Sequence, residues 1–217
     1  MTPSLDVLEA ITEQRALAIV RLETRDQAVA ACRILAGAGL RAVEVSLAQP
    51  EAIAAIAEAA DELAGAAFVG AGTIRTVTDA AAAISAGAQF LIGPSLDEAV
   101  ADWARERDLL YVPGALTPTE VEAASRWSPL VKLFPAGRFG PGYMRDLRAP
   151  FPDVPLVPTG GVDLDNARPF LDAGATAVAL GSSLVNARTV AAPDALAATT
   201  RRLLRLIAPA TPTTRRP

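Results

Sequence analysis

Three charged side chains interrupt segments that are otherwise apolar. Lys132 lies in LVKLFPA, Glu44 in AVEVSL and Arg21 in AIVRL, and Lys132 is the only lysine among the 20 lysine and arginine residues. Burying an uncompensated charge is costly, so each of these side chains should face a partner or a substrate. The purely structural alternative is a set of ion pairs that closes the floor of the fold.

A buried lysine can carry out chemistry that arginine cannot. Guanidinium stays protonated, whereas a desolvated lysine can present a neutral amine to a ketone and form a Schiff base. A carboxylate at Glu44 could then move protons to and from the reacting atoms, directly or through one water. The pair of Lys132 and Glu44 therefore predicts an aldolase that needs no metal.

Two glycine-rich units near the end of the chain predict a phosphate site. TGG at 159–161 and GSS at 181–183 each follow an apolar run. At the ends of the seventh and eighth strands of a barrel, their amides, a hydroxyl and a short helix N-terminus could hold phosphate. Either unit alone could be a tight turn, but the two together favour phosphate. A third unit, GAGT at 70–73, permits close backbone approach to a ligand and offers a hydroxyl.

Composition narrows the class of protein. The chain has 217 residues, 51% of them hydrophobic, a net charge of -4 and a pI near 5.0, which indicates a small-molecule substrate and neither a nucleic acid nor a membrane partner. The sequence has no histidine, and its single cysteine, Cys32, reads as a core residue. Metal sites built from imidazole and thiolate are therefore excluded. Without a signal peptide or an apolar span, we expect a cytoplasmic protein.

The elements that must position these residues alternate along the chain. Alanine-rich amphipathic segments separate eight short apolar runs, which are residues 18–22, 42–47, 68–73, 90–94, 109–115, 130–136, 156–162 and 177–185. This pattern is typical of an α/β protein with a closed (β/α)8 TIM barrel. An open doubly wound sheet is the alternative, because a strand count does not prove closure. We also predict an extra helix over residues 4–15.

The boundaries of the domain and of the helices can also be predicted. One aldolase domain should cover residues 1–207, and the polar tail at 208–217 should be disordered. Helix starts are indicated by capping-box spacing at Thr24 with Gln27 and at Thr117 with Glu120. Glycines that could end helices in the left-handed conformation are Gly37, Gly87 and Gly174.

The sequence resembles a known family over about residues 5–207. The segments that carry the resemblance are VEVSL, VGAGT, FLIGPSLDEAV, YVPGALTPTE, VKLFPA, APFPDVPLVPTGG and LGSSLV. In this order and spacing they are similar to the family of 2-keto-3-deoxy-6-phosphogluconate (KDPG) and 4-hydroxy-2-oxoglutarate (KHG) aldolases. The resemblance implies a (β/α)8 class I aldolase that works as a homotrimer, without a cofactor, and cleaves KDPG to pyruvate and glyceraldehyde 3-phosphate.

The resemblance also implies a role for individual residues. Lys132 becomes the Schiff-base lysine and Glu44 the general acid and base. Gly72 and Thr73 are placed at the pyruvate carboxylate, with Arg21 nearby. The remaining implied contacts are Pro94 and Phe134 along the wall around the pyruvyl carbons, and Thr159, Gly160, Gly161 and Ser182 in the phosphate pocket.

One departure from the family pattern leaves the substrate open. Ala48 stands where some family members carry an arginine just after the strand of Glu44. KHG and 2-keto-3-deoxy-6-phosphogalactonate are therefore alternative substrates. Two other functions are compatible with the same fold: a phosphosugar isomerase or epimerase, which would not need an amine at position 132, and a non-catalytic barrel used for assembly or phosphometabolite binding.

Overall fold

The computed structural model describes residues 3–209 and contains alternating strands and helices. The strands are β1 (Ala16–Val20), β2 (Ala42–Ser46), β3 (Phe68–Gly72), β4 (Phe90–Ile92), β5 (Leu110–Val112), β6 (Gly114–Ala115), β7 (Val131–Leu133), β8 (Leu156–Pro158) and β9 (Val178–Leu180). The helices are α1 (Pro3–Gln14), α2 (Arg25–Gly37), α3 (Ala52–Glu62), α4 (Val77–Ser85), α5 (Glu98–Arg105), α6 (Pro118–Ser125), α7 (Gly140–Arg148), α8 (Ala167–Asp172), α9 (Ala187–Val190) and α10 (Pro193–Ile207).

The prediction of a closed eight-stranded TIM barrel is wrong. The strands form a curled six-stranded sheet in the order β5-β4-β3-β2-β1-β9 and a separate three-stranded sheet in the order β6-β7-β8. All the pairings are parallel. A single bridge between Thr159 and Ala179 links the two sheets beside β9. The architecture is therefore a related α/β fold with two sheets.

Prolines account for the interruption. The fifth predicted run, residues 109–115, is split by Pro113 into β5 and β6, which belong to different sheets. Proline has no amide hydrogen to donate to a neighbouring strand, so a ladder cannot run through it on that side. Pro158 ends β8 in the same way, and only the bridge at Thr159 follows it.

Most of the predicted helix signals are present. The N-terminal helix appears as α1 (Pro3–Gln14), and Thr117 with Glu120 forms a complete capping box at the start of α6. Thr24 caps α2 by accepting the amide hydrogen of Gln27. Gly87 and Gly174 adopt a positive φ of 99°, but after α2 the left-handed residue is Gly39 and not Gly37. The predicted disordered tail from residue 210 onward lies outside the described residues.

Two layers of buried side chains surround the strands. The larger cluster includes buried residues of α2 to α6 and alternate strand positions such as Ala18, Val43 and Val131. The smaller cluster takes the intervening strand positions, among them Ala42 and Val157, together with side chains of α1. Because side chains alternate between the faces of a strand, the smaller cluster fills the concave side of the curled sheet, and α1 closes its floor.

The parallel pairing brings the carboxyl ends of the strands to one edge. The segments that follow β2, β3, β4, β7, β8 and β9 therefore meet on the side opposite α1. Within residues 3–209, no helix is both long and apolar enough to cross a membrane.

Candidate active site

The concave side of the strands holds one buried acid and one buried amine. Glu44 lies two residues after Ala42 on β2, and Lys132 lies two residues after Leu130 on β7, so both point toward the inner cluster. Only 1% of the Glu44 surface and 8% of the Lys132 surface are exposed. They are the only charged residues that are buried within residues 3–209.

Both side chains line the same small cavity. Its volume is about 10 Å³, which is close to the minimum that holds one water. The other lining residues are Ile11, Leu17, Ile92, Val112, Leu130, Val157 and Thr159. All of these except Thr159 are apolar, so the cavity keeps bulk water away from the acid and the amine.

Burial controls the protonation of the acid. Desolvation raises the pKa of the Glu44 carboxyl above its ordinary value, and the positive charge of Lys132 partly opposes that rise. Oε2 of Glu44 is buried without a hydrogen-bond partner within the described chain. A buried polar atom without a partner is costly, and such atoms cluster where a ligand or a reacting proton completes the site.

Gly72 leaves the space that this carboxyl occupies. The residue pairs with Ser46 across β2 and β3, and a Cβ atom built on Gly72 would lie 1.6 Å from Oε1 of Glu44. No side chain can be accommodated at that distance without moving the carboxyl. Glycine at position 72 therefore sets where the acid can stand.

Thr73 follows Gly72 in a strained conformation. Its φ of 63° lies in the left-handed region, which costs a β-branched residue roughly 1–3 kcal/mol. The Oγ1 atom of Thr73 lies 2.8 Å from Oγ of Ser46, at the end of β2. The hydroxyl of Thr73 and its neighbouring backbone therefore stand at the carboxyl edge of the strands.

Phe134 connects the amine to the glycine-rich loop. Nζ of Lys132 lies 5.3 Å from the centroid of the Phe134 ring. The same ring packs against Gly160, where an added Cβ would lie 2.9 Å from Cε2. Phe134 is partly exposed. Because its ring contacts Lys132 on one side and Gly160 on the other, it lies between the buried amine and the open end of the site.

The two glycine-rich units form the open end. Gly160 and Gly161 have φ values of 80° and 77°, which only glycine adopts without strain. The amide of Gly137 donates to the carbonyl of Gly160 at 2.7 Å, which fixes the loop against the segment after β7. Within residues 3–209, the amides of Gly161 and Val162 donate to no acceptor, and they remain available to a ligand.

The second glycine-rich unit, GSS at 181–183, also lies at the open end of the site. Ser182 is exposed, and its carbonyl accepts a hydrogen bond from the Asn186 amide side chain at 3.0 Å. The Ser183 hydroxyl donates to the carbonyl of Val162 at 2.6 Å, which ties the two units together. The helix N-terminus expected beside them is not free, because Oδ1 of Asn186 accepts the amide hydrogens of Arg188 and Thr189.

Several of the sequence-predicted residues lie elsewhere than expected. Arg21 follows the end of β1 and is exposed, so it is not a buried charge inside a strand. Thr159 is buried and lines the cavity with Glu44 and Lys132, and its hydroxyl donates to the carbonyl of Val157 at 3.1 Å. Pro94 follows β4 at the carboxyl edge and is half-buried.

Sequence reasoning missed Ser46. It is 3% exposed and lies two residues after Glu44 on β2. A signal was available, since a polar residue at this spacing must share the inward face of Glu44. The residue was overlooked because a single serine at the end of an apolar strand is not distinctive.

Cys32, the single cysteine, is buried in the larger hydrophobic cluster. Burial raises the pKa of the Cys32 thiol to about 12, which agrees with a core residue and opposes a nucleophile. No group of three or more His, Cys, Asp or Glu side chains within the described range is arranged to hold a metal ion.

A buried amine and a buried acid that line one cavity on the concave side of parallel strands are the two groups that Schiff-base chemistry requires. The sequence model of the family described as KDPG and KHG aldolase matches residues 7–201. The chain therefore belongs to the KDPG and KHG aldolase family, and it is a lyase.

Individual relatives agree with this assignment. The chain is 36% identical over 196 residues to the 2-dehydro-3-deoxy-phosphogluconate aldolase of Treponema pallidum, covering 88% of this chain and 91% of that protein. It is 32% identical over 173 residues to the 2-dehydro-3-deoxy-6-phosphogalactonate aldolase of Escherichia coli, covering 79% and 84%. A crystal structure of the KDPG aldolase of Zymomonas mobilis with 3-phosphoglycerate superposes with a TM-score of 0.83 at 25% identity, covering 94% and 99%.

Proposed function

We propose that this protein is a class I aldolase that cleaves KDPG to pyruvate and glyceraldehyde 3-phosphate. The observation that carries the proposal is the burial of the only lysine in the sequence together with Glu44 in one cavity. A phosphosugar isomerase would not need a nucleophilic amine at position 132. A binding protein would gain nothing from two costly buried charges, which are better explained by chemistry.

The proposed reaction begins at the ketone. The neutral amine of Lys132 attacks C2 of the substrate to give a carbinolamine. Glu44 donates a proton to the departing hydroxyl, water leaves, and an iminium ion joins Lys132 to C2. The positive nitrogen then withdraws electrons from C3, which weakens the bond between C3 and C4.

Carbon–carbon cleavage follows from the same pair of residues. Glu44, directly or through one water, removes the proton of the C4 hydroxyl. The electrons of that O–H bond form the aldehyde, and the electrons of the C3–C4 bond move to the iminium to give an enamine. Glyceraldehyde 3-phosphate departs, C3 is protonated, and water hydrolyses the resulting iminium to release pyruvate and the free amine of Lys132.

The electrostatics of the cavity support these proton transfers. A carboxyl whose pKa is raised by burial can hold a proton and give it up closer to neutral pH than an exposed glutamate can. Oε2 of Glu44 has no hydrogen-bond partner among residues 3–209, so it is free to exchange that proton, and Gly72 leaves the carboxyl room.

The remaining contacts are proposed from the two ends of the site. At the carboxylate end, Gly72 and Thr73 would hold the pyruvyl carboxylate, with Arg21 as an exposed guanidinium near the mouth. Pro94 and Phe134 would line the wall. At the phosphate end, Gly160, Gly161 and Ser182 would bind through amides and a hydroxyl. Thr159 is better assigned to the catalytic cavity, since its side chain is buried there.

Three broader features belong to the same proposal. The enzyme would need no metal or other cofactor, because Lys132 itself supplies the electron sink. It would act on small molecules as a homotrimer, by analogy with the family. It would work in the cytoplasm, where phosphorylated sugar acids are found.

A coupled assay tests the substrate. KDPG, 2-keto-3-deoxy-6-phosphogalactonate and KHG would each be supplied to the purified protein, and pyruvate release would be followed. We expect pyruvate from KDPG with the highest kcat/KM of the three. Since Ala48 leaves the substrate preference open, a higher kcat/KM for another substrate would move the proposal to that acid. Absence of pyruvate from all three would reject an aldolase of this type.

A further inference from the structure

Ser46 is a buried hydroxyl that the proposed mechanism does not use. It shares the inward face of β2 with Glu44, yet its Oγ lies 2.8 Å from Oγ1 of Thr73. Ser46 is paired in register with Gly72, so it stands directly beside the turn that presents Thr73. The contact is therefore part of how the carboxylate end is built.

The backbone around Thr73 is already fixed on both sides. The amide of Leu47 donates to the carbonyl of Gly72 at 2.9 Å, and the amide of Ile74 donates to the carbonyl of Ile92 at 3.0 Å. These two bonds hold the left-handed φ of Thr73. What they leave undetermined is the direction of the Thr73 hydroxyl, and Ser46 is the side chain that contacts it.

The chemistry of the ligand decides which of the two hydroxyls, Ser46 or Thr73, donates the hydrogen bond that joins them. A carboxylate has only acceptors, so a carboxylate that binds to the Thr73 hydroxyl must accept the proton of that hydroxyl. Oγ1 of Thr73 must then accept the bond that joins it to Ser46, and Ser46 must donate. The amide of Ala48 lies 3.4 Å from Oγ of Ser46 and donates to it, which leaves the proton of Ser46 free for this task.

We propose that Ser46 is a positioning residue that turns the Thr73 hydroxyl toward the carboxylate of the 2-keto acid. Hydrogen bonds would run in one direction, from the Ala48 amide to Ser46, from Ser46 to Thr73 and from Thr73 to the carboxylate. Each donor in such a chain polarises the next, which strengthens the last bond. This inference rests on the proposed function, because it requires a carboxylate at Thr73.

The test is the affinity for pyruvate, which has the carboxylate but no phosphate. Pyruvate would be titrated against the rate of borohydride reduction onto Lys132 in wild type, Ser46→Ala, Ser46→Thr and Ser46→Cys. We expect Ser46→Ala to lower the affinity for pyruvate about three- to tenfold, which is the effect of losing one hydrogen bond. KM for the full substrate should rise similarly and kcat should change little, because the lost bond serves both ground and transition states.

The other variants separate positioning from packing. Ser46→Thr keeps the hydroxyl and should restore the affinity. Ser46→Cys keeps the volume but donates weakly, so it should resemble Ser46→Ala. Inhibition by inorganic phosphate, which reports the other end of the site, should be the same in all four proteins.

A double-mutant cycle gives the sharpest result. In a Thr73→Val background the hydroxyl that Ser46 orients is gone, so Ser46→Ala should have no further effect on pyruvate affinity. Full additivity of the two changes would overturn the proposal, as would wild-type pyruvate affinity in Ser46→Ala. An adduct in wild type with an unchanged affinity in Ser46→Ala would reject only the role of Ser46. No adduct in wild type would reject the proposed function and this inference with it.

Discussion

The two ends of the candidate site differ in the groups that they present, which are strand side chains at one end and loop backbone at the other. The proposed catalytic end consists of charged side chains on strands, Glu44 on β2 and Lys132 on β7, both enclosed by apolar neighbours. The proposed phosphate end consists of loop backbone at Gly160 and Gly161, with an exposed hydroxyl at Ser182. Phe134 stands between them, with one contact to each.

The difference follows from what each end has to do. A reacting acid needs a dry environment, which here raises the pKa of Glu44, and rigid strands supply that environment. A phosphate already carries its charge, so it can be bound by amides at a more open position. Changes at the buried end should therefore affect turnover, and changes at the open end should affect the choice of substrate.

The largest effect is expected from Lys132→Arg. The substitution keeps the positive charge beside Glu44 but removes the nucleophile, so turnover of KDPG should fall to the detection limit. Pyruvate release measures the loss, and circular dichroism checks the fold. Appreciable turnover in a folded variant would show that chemistry at the buried end does not depend on the amine.

Glu44→Gln should have the next largest effect. The amide fills the same space but cannot transfer protons, so kcat should fall about 10²- to 10⁴-fold. The cleavage step needs Glu44 as an ionised base, and burial raises its pKa, so the wild-type kcat should fall as the pH drops through a value above that of an ordinary glutamate. This acidic limb should be missing from the residual activity of the variant.

The stability of Glu44→Gln provides a control for the same electrostatic argument. A carboxyl with a raised pKa binds its proton more tightly in the folded state than in the unfolded state. Wild type should therefore lose stability as the pH rises from the unfolded pKa to the folded one, and the variant should not show this loss. Denaturant unfolding at several pH values measures it. Identical pH dependence in both proteins would contradict the burial of an ionising Glu44.

A smaller effect is expected at the open end. Removing the phosphate from the substrate should lower kcat/KM by at least about two orders of magnitude, since several charge-assisted bonds are lost. Ser182→Asp should penalise the phosphorylated substrate and leave pyruvate trapping at Lys132 unchanged. The assignment of a phosphate site to this loop would be wrong if kcat/KM were equal for both substrates. It would also be wrong if Ser182→Asp lowered kcat/KM equally for both.

No effect is expected from metal removal. Activity should survive exhaustive treatment with EDTA, because the amine of Lys132 provides the electron sink that a metal would otherwise supply. The kcat before and after chelation is the measurement. A loss that a divalent ion restores would mean that the buried end works by metal chemistry.

The buried end was easier to predict from sequence than the fold around it. Glu44 and Lys132 stand out because a charge within an apolar strand is costly and rare. Closure of the barrel could not be predicted, because eight apolar runs look the same whether or not their ladders are continuous. Pro113, which splits the fifth run, was the available signal. The effect of Pro113 on the sheet depends on which neighbouring strand would have accepted a hydrogen bond from the amide of residue 113. The sequence does not show which strand that is.

Other details depended on tertiary contacts that a sequence does not contain. The repeated small residues before Leu40 do not show whether Gly37 or Gly39 becomes left-handed, and Arg21 lies one residue beyond the end of its strand. The contact of Ser46 with Thr73 joins neighbouring strands and depends on their register. The glycines at 160 and 161 could be recognised in the sequence as a pair that follows an apolar run. Their positive φ values explain why glycine stands at both positions.

Trapping of pyruvate tests the central claim most directly. The protein would be incubated with pyruvate and borohydride, digested, and analysed by mass spectrometry, with Lys132→Arg treated in parallel. Because the sequence contains one lysine, we predict one reduced pyruvyl group on the peptide that contains Lys132 and none on the corresponding peptide of the variant. An unmodified Lys132 peptide in wild type, or a group found only at the N-terminus, would contradict the Schiff-base mechanism.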